Sequence, residues 1–556
     1  MSKKELLPQS LILENRIGIR RGIFLTVLLF LFIFLPWLIS QRELFRQEGV
    51  FAAIAAEFFE GADFAANGAN ASAHHQLLRD AWPLYPAVVS FFHRFMPMEM
   101  ALRFISAFML GILSLIAGKA AAARCGSRAG IVSALCCFGT LFALDKGVNG
   151  GPESMAACFL LSAQLLFYHY GYSRGDWNSA WISSAVLLAL GFFTAGPAVI
   201  LFFIFPLIFM RRPLSYSGKF RIPGFFAGVI LLAVSVIGWL LPLGLDWRHY
   251  AYSSGVEIMP FSEYIIDVIA FPFVFAVRMM PWCLVMWLPF CVALQAVSPQ
   301  AVFSRYHRTL FFSMLALVWL IPGASSLLIF FLIGPLAILT GMYYELGVRR
   351  YGRSLRRGLA FGGLAFPLMM LLVLMILFLP EKYIAIFGDA EKMSFRAAPE
   401  YFYLAVGAVI LLAVLAMFFC YSRKRLPVWT QIMLICFGIS IIGTVEMLPY
   451  RLMEKDWRKF GSDVRNVLPP DAEKLYKYEI DGMYCGLFYT GVPVYTLEQL
   501  EKLDSLEDTV YLISASAPVY PDREWTPLLP EGYKCRGVEV SVWKGERPLE
   551  DEGLDE

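Results

Sequence analysis

The chain has 556 residues, of which 58% are hydrophobic and only 16% are charged, whereas a soluble globular protein has about 25% charged residues. This composition excludes a soluble globular protein and indicates a membrane protein. The net charge of +3 does not indicate a nucleic-acid partner, because the arginines and lysines stand beside apolar blocks. No Walker loop, HExxH, GxSxG or paired CxxC motif occurs, which argues against an ATPase, a zinc protease, a serine hydrolase and a zinc ribbon.

The first apolar block, residues 22–40, follows Arg16, Arg20 and Arg21 and is long enough to cross a bilayer. It has no small-residue cleavage site, so we expect an uncleaved first span with the N-terminus in the cytoplasm. About 13 apolar blocks are predicted to be transmembrane helices. They begin near Gly22, Met100, Ala129, Ser154, Asn178, Pro197, Pro223, Pro281, Thr309, Leu327, Leu359, Tyr401 and Pro427.

Positive charge alternates from one connection to the next. The connections near Thr194, Gly323 and Lys382 carry little of it, and the alternate connections carry most of it. Because cytoplasmic loops are rich in arginine and lysine, this pattern predicts a multi-pass protein of a bacterial inner membrane with its C-terminus outside. The predicted cytoplasmic residues are Arg124, Arg128, Arg174, Arg211, Arg212, Lys219, Arg221, Arg305, Arg308, Arg349, Arg350, Arg353, Arg356, Arg357, Arg423, Lys424 and Arg425.

The composition changes after Pro449, where the chain becomes polar and β-rich runs such as residues 509–513 appear. The predicted fold class is therefore an all-α polytopic membrane protein with a small extracytoplasmic α/β domain. Residues 1–449 form the membrane module and residues 450–556 form the C-terminal domain. Cys485 and Cys535 form a disulfide there or remain two thiols, and the sequence leaves both alternatives open.

Two predicted outer segments are long. Residues 41–99 contain an amphipathic run, residues 48–59, which is predicted to be a short helix lying in the membrane interface. Residues 245–280 contain aromatic side chains that are expected to anchor the second segment at the interface. These are Trp247, Tyr250, Tyr252, Phe261 and Tyr264.

The first outer segment also gathers most of the candidate chemical groups. Carboxylates near a membrane surface can act as general bases, and arginines can hold a lipid phosphate; ordinary surface charge is the alternative. The adjacent His74 and His75, with Asp80 or Glu60, are a weaker candidate for a divalent-metal site. The polar residues in question are Glu43, Arg46, Glu48, Glu57, Glu60, Asp63, His74, His75, Arg79 and Asp80.

The order of these elements resembles the membrane glycosyltransferases of the GT-C fold, in particular protein mannosyltransferases and lipid A aminoarabinose transferases (glycosyltransferase families 39 and 83). Their first outer loop opens with the pattern DExRYAxIA, and residues 47–55 are QEGVFAAIA here. Their later patterns KPPLYY, AxRxxSA and TKGP correspond to AWPLYP at 81–86, ALRFISA at 101–107 and TAGP at 194–197. An acidic residue that opens their fourth span corresponds to Glu153.

The resemblance implies a set of site residues, and this chain departs from the family pattern at several of them. Gln47 stands where the family has its catalytic aspartate, and glutamine cannot accept a proton at neutral pH. Val50 and Ala195 replace basic residues of the family, and residues 323–328 hold no basic residue. Glu48 or Glu43 would then be the catalytic base. The phosphate ligands would be Arg46, Arg79 and Arg103, and the cavity residues would be Gln47, Tyr85 and Glu153.

The function implied by the resemblance is transfer of a sugar from a polyprenyl-phosphate-linked donor to a lipid, glycan or protein acceptor on the outer face of the membrane. No cofactor is required by the sequence, although a divalent metal remains an option. The alternative is a degenerate relative that binds polyprenyl lipid or a partner without turnover. A transporter is the third alternative, and it is disfavoured because the predicted span interiors are nearly uncharged.

Overall fold

The computed structural model describes residues 23–38 except 25, 43–44, 47–60, 82–240 except 217, 260–321 except 299, 326–377, 407, 427–442, 457–470, 472, 474–478, 483–497 except 493, 509–529 except 521, 533–535 and 538–547. The predicted span near Tyr401 and the anchors Trp247, Tyr250 and Tyr252 lie outside the described residues.

Helices make up most of the described chain. In chain order they are α1 Thr26–Leu38, α2 Glu48–Glu60, α3 Leu84–His93, α4 Met98–Cys125, α5 Ser127–Phe138, α6 Leu141–Val148, α7 Glu153–Phe167, α8 Trp177–Ala195, α9 Pro197–Ile208, α10 Pro223–Leu240, α11 Phe261–Arg278, α12 Cys283–Met286, α13 Val292–Gln295, α14 Ala301–Leu320, α15 Ser326–Phe330, α16 Ile333–Leu377, α17 Val428–Ile442, α18 Trp457–Val467 and α19 Tyr484–Phe488.

The chain divides into two compact units. The membrane unit comprises residues 1–40, 103–148 and 152–450, and the second unit comprises residues 41–102, 149–151 and 451–556. The C-terminal segment therefore shares its unit with the first long segment and with a three-residue loop. The predicted separation at residue 449 of a membrane module from an independent domain stays a prediction.

Within the membrane unit, α4, α8 and residues 327–359 are long and apolar enough to cross a bilayer, and two bent helix pairs raise this number to at most five in the described part of the chain. The predicted 13 spans are not confirmed. Large apolar side chains are exposed on helix α10. Exposing so many of them to water is unfavourable, so this surface fits contact with lipid. The exposed side chains are Phe226, Val229, Ile230, Val234 and Ile237.

Helix α16 corrects one predicted connection. We predicted separate spans from Leu327 and Leu359, joined by a loop that holds Arg349 to Arg357. Instead α16 continues through these arginines without a break over 45 residues. Arginine is a good helix former, and Leu355 and Leu359 are buried on the inner side of the helix. The arginines therefore extend a helix rather than interrupt it.

The second unit contains a five-stranded mixed sheet, which confirms the predicted C-terminal α/β structure. The sheet order is β2-β1-β3-β7-β4, with β1 parallel to β2 and β3, and β7 antiparallel to β3 and β4. A short β5–β6 pair lies apart. The strands are β1 Leu475–Tyr478, β2 Val494–Thr496, β3 Thr509–Ser514, β4 Glu524–Pro527, β5 Lys534–Cys535, β6 Val538–Glu539 and β7 Ser541–Glu546.

Close backbone approaches hold the helices of this unit together. A Cβ added to Gly49 would lie 2.5 Å from the Cys485 amide nitrogen, so α2 and α19 can pack only with glycine there. A Cβ added to Gly461 would likewise lie 2.5 Å from the Cβ of Tyr489, the residue that follows α19. Cys485 is buried, and the side chain of Cys535 lies outside the described residues, so both predicted alternatives for this pair stay predictions. The predicted helix in the first outer segment is confirmed as α2, whereas its position in a membrane interface stays a prediction.

Candidate functional site

Glu48 is the first residue of α2 and is only 1% exposed. Its Oε1 accepts a hydrogen bond of 2.7 Å from the backbone N–H of Gly150. A carboxylate at a helix N-terminus is favoured by the helix dipole, and the Gly150 amide fixes the direction of one of its oxygens. Gln47, directly before it, is exposed. Glu48 is therefore the ordered, buried carboxylate of this end of α2.

Gly150 can approach Glu48 because it has no side chain. A Cβ at this position would lie 2.7 Å from the Leu102 Cβ and 3.5 Å from the Glu48 Cγ. The glycine-rich stretch 147–151 thus ends in a loop that contacts the candidate base. It is the part of the candidate site that sequence reasoning assigned no role.

Tyr85, a predicted cavity residue, lies in the same group of contacts. Its ring packs edge-on against Phe51, one turn after Glu48 in α2, with the ring centroids 5.4 Å apart. Its hydroxyl donates a 2.9 Å hydrogen bond to the Leu102 carbonyl oxygen. Leu102 is the residue that abuts Gly150, so Glu48 and Tyr85 are brought together, and Tyr85 supports the site through packing.

Glu43, the other predicted catalytic carboxylate, has a different environment. Its Oε2 accepts a 2.7 Å hydrogen bond from the Trp457 N–H, and its Oε1 accepts a 3.1 Å hydrogen bond from the Arg458 N–H. These are the first two amides of α18, which have no partner within the helix. Glu43 therefore caps α18, and its predicted catalytic role stays a prediction without geometric support.

A second polar cluster joins the first outer segment to the C-terminal segment. Arg458 Nη2 and the Tyr489 hydroxyl each donate a 3.0 Å hydrogen bond to Glu99 Oε1. The Tyr489 oxygen also accepts a 3.0 Å hydrogen bond from the Leu44 N–H. Burial disfavours the charged form of Arg458. The hydrogen bond from its guanidinium to Glu99 and the negative charge of Glu99 outweigh burial, so the pKa of Arg458 is raised. Burial and then the Glu99 charge raise the pKa of Tyr489, which keeps it a neutral donor.

The membrane unit places the other predicted residues. Arg103 is 1% exposed in α4. Glu153 opens α7, and its Oε1 lies 3.1 Å from the Nζ of Lys146, near the end of α6. Arg278, at the end of α11, lies over the ring of Phe142 at 5.3 Å. Lys146 and Arg278 are thus two cations of this unit to which the sequence analysis gave no role.

Some candidates lie outside the described residues, namely Arg46, Arg79, His74, His75 and Asp80, and so does the side chain of Glu60. In the described part of the chain no group of three or more histidine, cysteine or acidic side chains could hold a metal ion. Lys146 did have a sequence signal, since an ionisable residue in an apolar block marks a functional site by default. Arg458 and Tyr489 had none, because their partners are more than 350 residues away in the sequence.

No protein-family model and no curated protein matches this sequence. Solved structures do match. ArnT from Cupriavidus metallidurans bound to undecaprenyl phosphate aligns with a TM-score of 0.67 at 14% identity, over 94% of this chain and 97% of that chain. The apo state of the same protein aligns with a TM-score of 0.63 at 14% identity and the same coverage. ArnT is the lipid A aminoarabinose transferase, and this chain has the GT-C fold of that enzyme along nearly its whole length.

Proposed function

We propose that the protein is a membrane glycosyltransferase that takes a sugar from a polyprenyl-phosphate-linked donor. The observation that carries the proposal is the alignment with an undecaprenyl-phosphate-bound transferase over 94% of this chain and 97% of that one. A fold alone does not assign a reaction. The proposal therefore also depends on Glu48, a buried carboxylate at the place where the resembling families carry their acidic motif.

In the proposed reaction Glu48 is the general base. It takes the proton of an acceptor hydroxyl as that oxygen bonds to the anomeric carbon of the sugar. The bond between this carbon and the phosphate oxygen breaks at the same time, and the lipid phosphate leaves with the electron pair, so the configuration inverts. The Gly150 N–H holds one Glu48 oxygen at 2.7 Å and so directs the carboxylate.

The lipid phosphate needs cations, and the family's lysine and arginine positions are Ala195 and Val50 here. Arg103, which is buried in the membrane unit, is the predicted phosphate ligand among the described residues, because charge-assisted hydrogen bonds are the strongest contacts that a phosphate makes. Glu153, a predicted cavity residue, is paired with Lys146 at 3.1 Å. Arg46 and Arg79 remain candidates for the same role.

The proposed location is a bacterial inner membrane, with several spans and the N-terminus in the cytoplasm. The C-terminal α/β segment and the first long segment would face the outside. A lipid-linked donor suits this arrangement because nucleotide sugars are not available there. Neither the sugar nor the acceptor, whether a lipid, a glycan or a protein, is assigned.

Two substitutions at Glu48 test the base. Glutamine retains an oxygen that can accept the Gly150 N–H but cannot take a proton, whereas alanine removes both functions. With polyprenyl-phosphate sugars and the purified protein in lipid, we expect Glu48→Gln and Glu48→Ala to lose transfer alike, by about 100-fold or more. Glu524→Gln, which changes an exposed carboxylate of β4, is the control. Wild-type transfer by Glu48→Gln would contradict the assignment.

A degenerate, lipid-binding relative is the second candidate function. It is favoured by Gln47 at the catalytic aspartate position and by Glu43, both of whose oxygens accept backbone N–H groups. It predicts that the wild-type protein binds a polyprenyl-phosphate sugar and transfers it to no acceptor. Product formation by the wild-type protein, lost on Glu48→Gln, would exclude it.

A further inference from the structure

Helix α16 carries a cluster of arginines on two of its turns, which we call the arginine band: Arg349, Arg350, Arg353 and Arg357. All four are exposed. The helix is held by its opposite side, since Leu355 and Leu359 are buried. The four arginines of the band therefore lie on one side of a continuous helix and not on a loop.

No acid lies within the band or after it in the same helix. No aspartate or glutamate occurs between residues 346 and 377. The last acid before the band, Glu345, has its Oε1 3.6 Å from Arg128 Nη1. In the described part of the chain no carboxylate lies within ion-pair distance of the four band arginines. Four like charges on two turns repel one another, so an external anion would stabilise them.

An exposed tryptophan lies beside the band, and two exposed valines lie in or next to a short helix that packs against α16. Trp287 is 42% exposed, and its ring lies 5.4 Å from that of Tyr351. Tyr351 in turn lies under the Arg350 guanidinium at 5.7 Å. Val292 and Val297 are 81% and 64% exposed, and the short helix α13 that Val292 opens packs against α16. Such a mixture of arginine, tryptophan and exposed aliphatic side chains is typical of the membrane–water interface.

We propose that the arginine band binds the phosphate headgroups of anionic phospholipids. The arginines contact the phosphates, while Trp287 and the exposed valines enter the boundary with the acyl chains. A soluble anion would gain only the charge contacts, whereas a phospholipid also covers the apolar side chains. This surface is independent of the transfer reaction proposed above and stabilises the helix that carries it.

The test uses the full chain in lipid nanodiscs of phosphatidylcholine, with or without phosphatidylglycerol. Native mass spectrometry then counts the phosphatidylglycerol retained by the released protein. The variant is Arg349→Gln, Arg350→Gln, Arg353→Gln and Arg357→Gln combined. The matched control is Arg174→Gln, Arg211→Gln, Arg212→Gln and Arg221→Gln combined, since these arginines are also exposed and were also predicted to be cytoplasmic. A variant with the same four arginines changed to lysine keeps the positive charge, and it shows whether a loss of lipid comes from the lost charge or from misfolding.

We expect the band variant to retain at least about tenfold less phosphatidylglycerol than the wild type. The control and the lysine variant should retain most of it, and phosphatidylglycerol should raise the unfolding temperature of the wild type but not of the band variant. Equal retention by the wild type and the band variant, or equal loss in the control, would overturn the proposal. So would inorganic phosphate that stabilises the wild type as strongly as the lipid does.

Discussion

Glu43 offers a sharp test, because the sequence makes it a catalytic candidate and the structure makes it a helix cap. Its carboxylate accepts the Trp457 and Arg458 amides at 2.7 and 3.1 Å. In Glu43→Ala both amides at the start of α18 lose their acceptor. The Arg458 amide is exposed and can bond to water, so the expected cost is that of a lost N-cap, about 1–2 kcal/mol. Glu43→Gln keeps one accepting oxygen and should cost about half as much.

Hydrogen exchange measures this cost locally. Since about 1.4 kcal/mol is a factor of ten in an equilibrium constant, the amides of α18 should exchange about tenfold faster in Glu43→Ala, with a smaller change in Glu43→Gln. Glu524→Gln, on an exposed strand position, should leave them unchanged. If α18 keeps its wild-type protection in Glu43→Ala while sugar transfer is lost, Glu43 is a reacting group and the capping argument fails.

Three further perturbations follow from the packing. Gly150→Ala forces a Cβ to within 2.7 Å of the Leu102 Cβ and should lower the stability by about 1–3 kcal/mol in thermal unfolding. The control Gly238→Ala has open space around the added Cβ and should not destabilise the protein. Equal melting temperatures of Gly150→Ala and the wild type would show that Leu102 can move. His307 is fully buried, and neither ring nitrogen is hydrogen-bonded to the described residues. His307→Leu should therefore leave the free energy of unfolding unchanged or raise it, as measured by urea or thermal unfolding. A decrease in that free energy of more than about 1 kcal/mol would reveal a polar role for the ring. Lys146→Met removes the cation that lies 3.1 Å from Glu153, so it should destabilise the protein more than Lys146→Met combined with Glu153→Gln. If the changes in melting temperature caused by the two substitutions simply add, the pair is not coupled.

The sequence predicted the helix in the first outer segment well, because alternating apolar and polar positions at helical spacing depend only on neighbouring residues. It also predicted β3, since the run of β-branched and aromatic residues at 509–513 is equally local. It failed at residues 349–357, where a dense set of arginines suggested a loop. Charge density does not stop a helix when the charged residues are good helix formers and the opposite side of the helix is packed, as Leu355 and Leu359 are here.

The candidate site was predictable only in part. Glu48 and Tyr85 could be selected because the motif order resembles a known fold, and the structure places them in one group of contacts. The partner of Glu48, the Gly150 amide, could not be selected, since a backbone N–H has no sequence signature. The capping of α18 by Glu43 joins residues more than 400 positions apart, which no periodicity reports.

Composition and the spacing of charge, by themselves, determined that this chain belongs in a membrane and that polar chemistry is concentrated in the segment after the first apolar block. Those properties follow from the unfavourable free energy of placing charges in hydrocarbon, which depends on the residues of each segment alone. Only the tertiary structure decided which carboxylate is buried against a backbone amide and which one caps a distant helix. That choice depends on which segments pack together, and packing is a property of the whole fold.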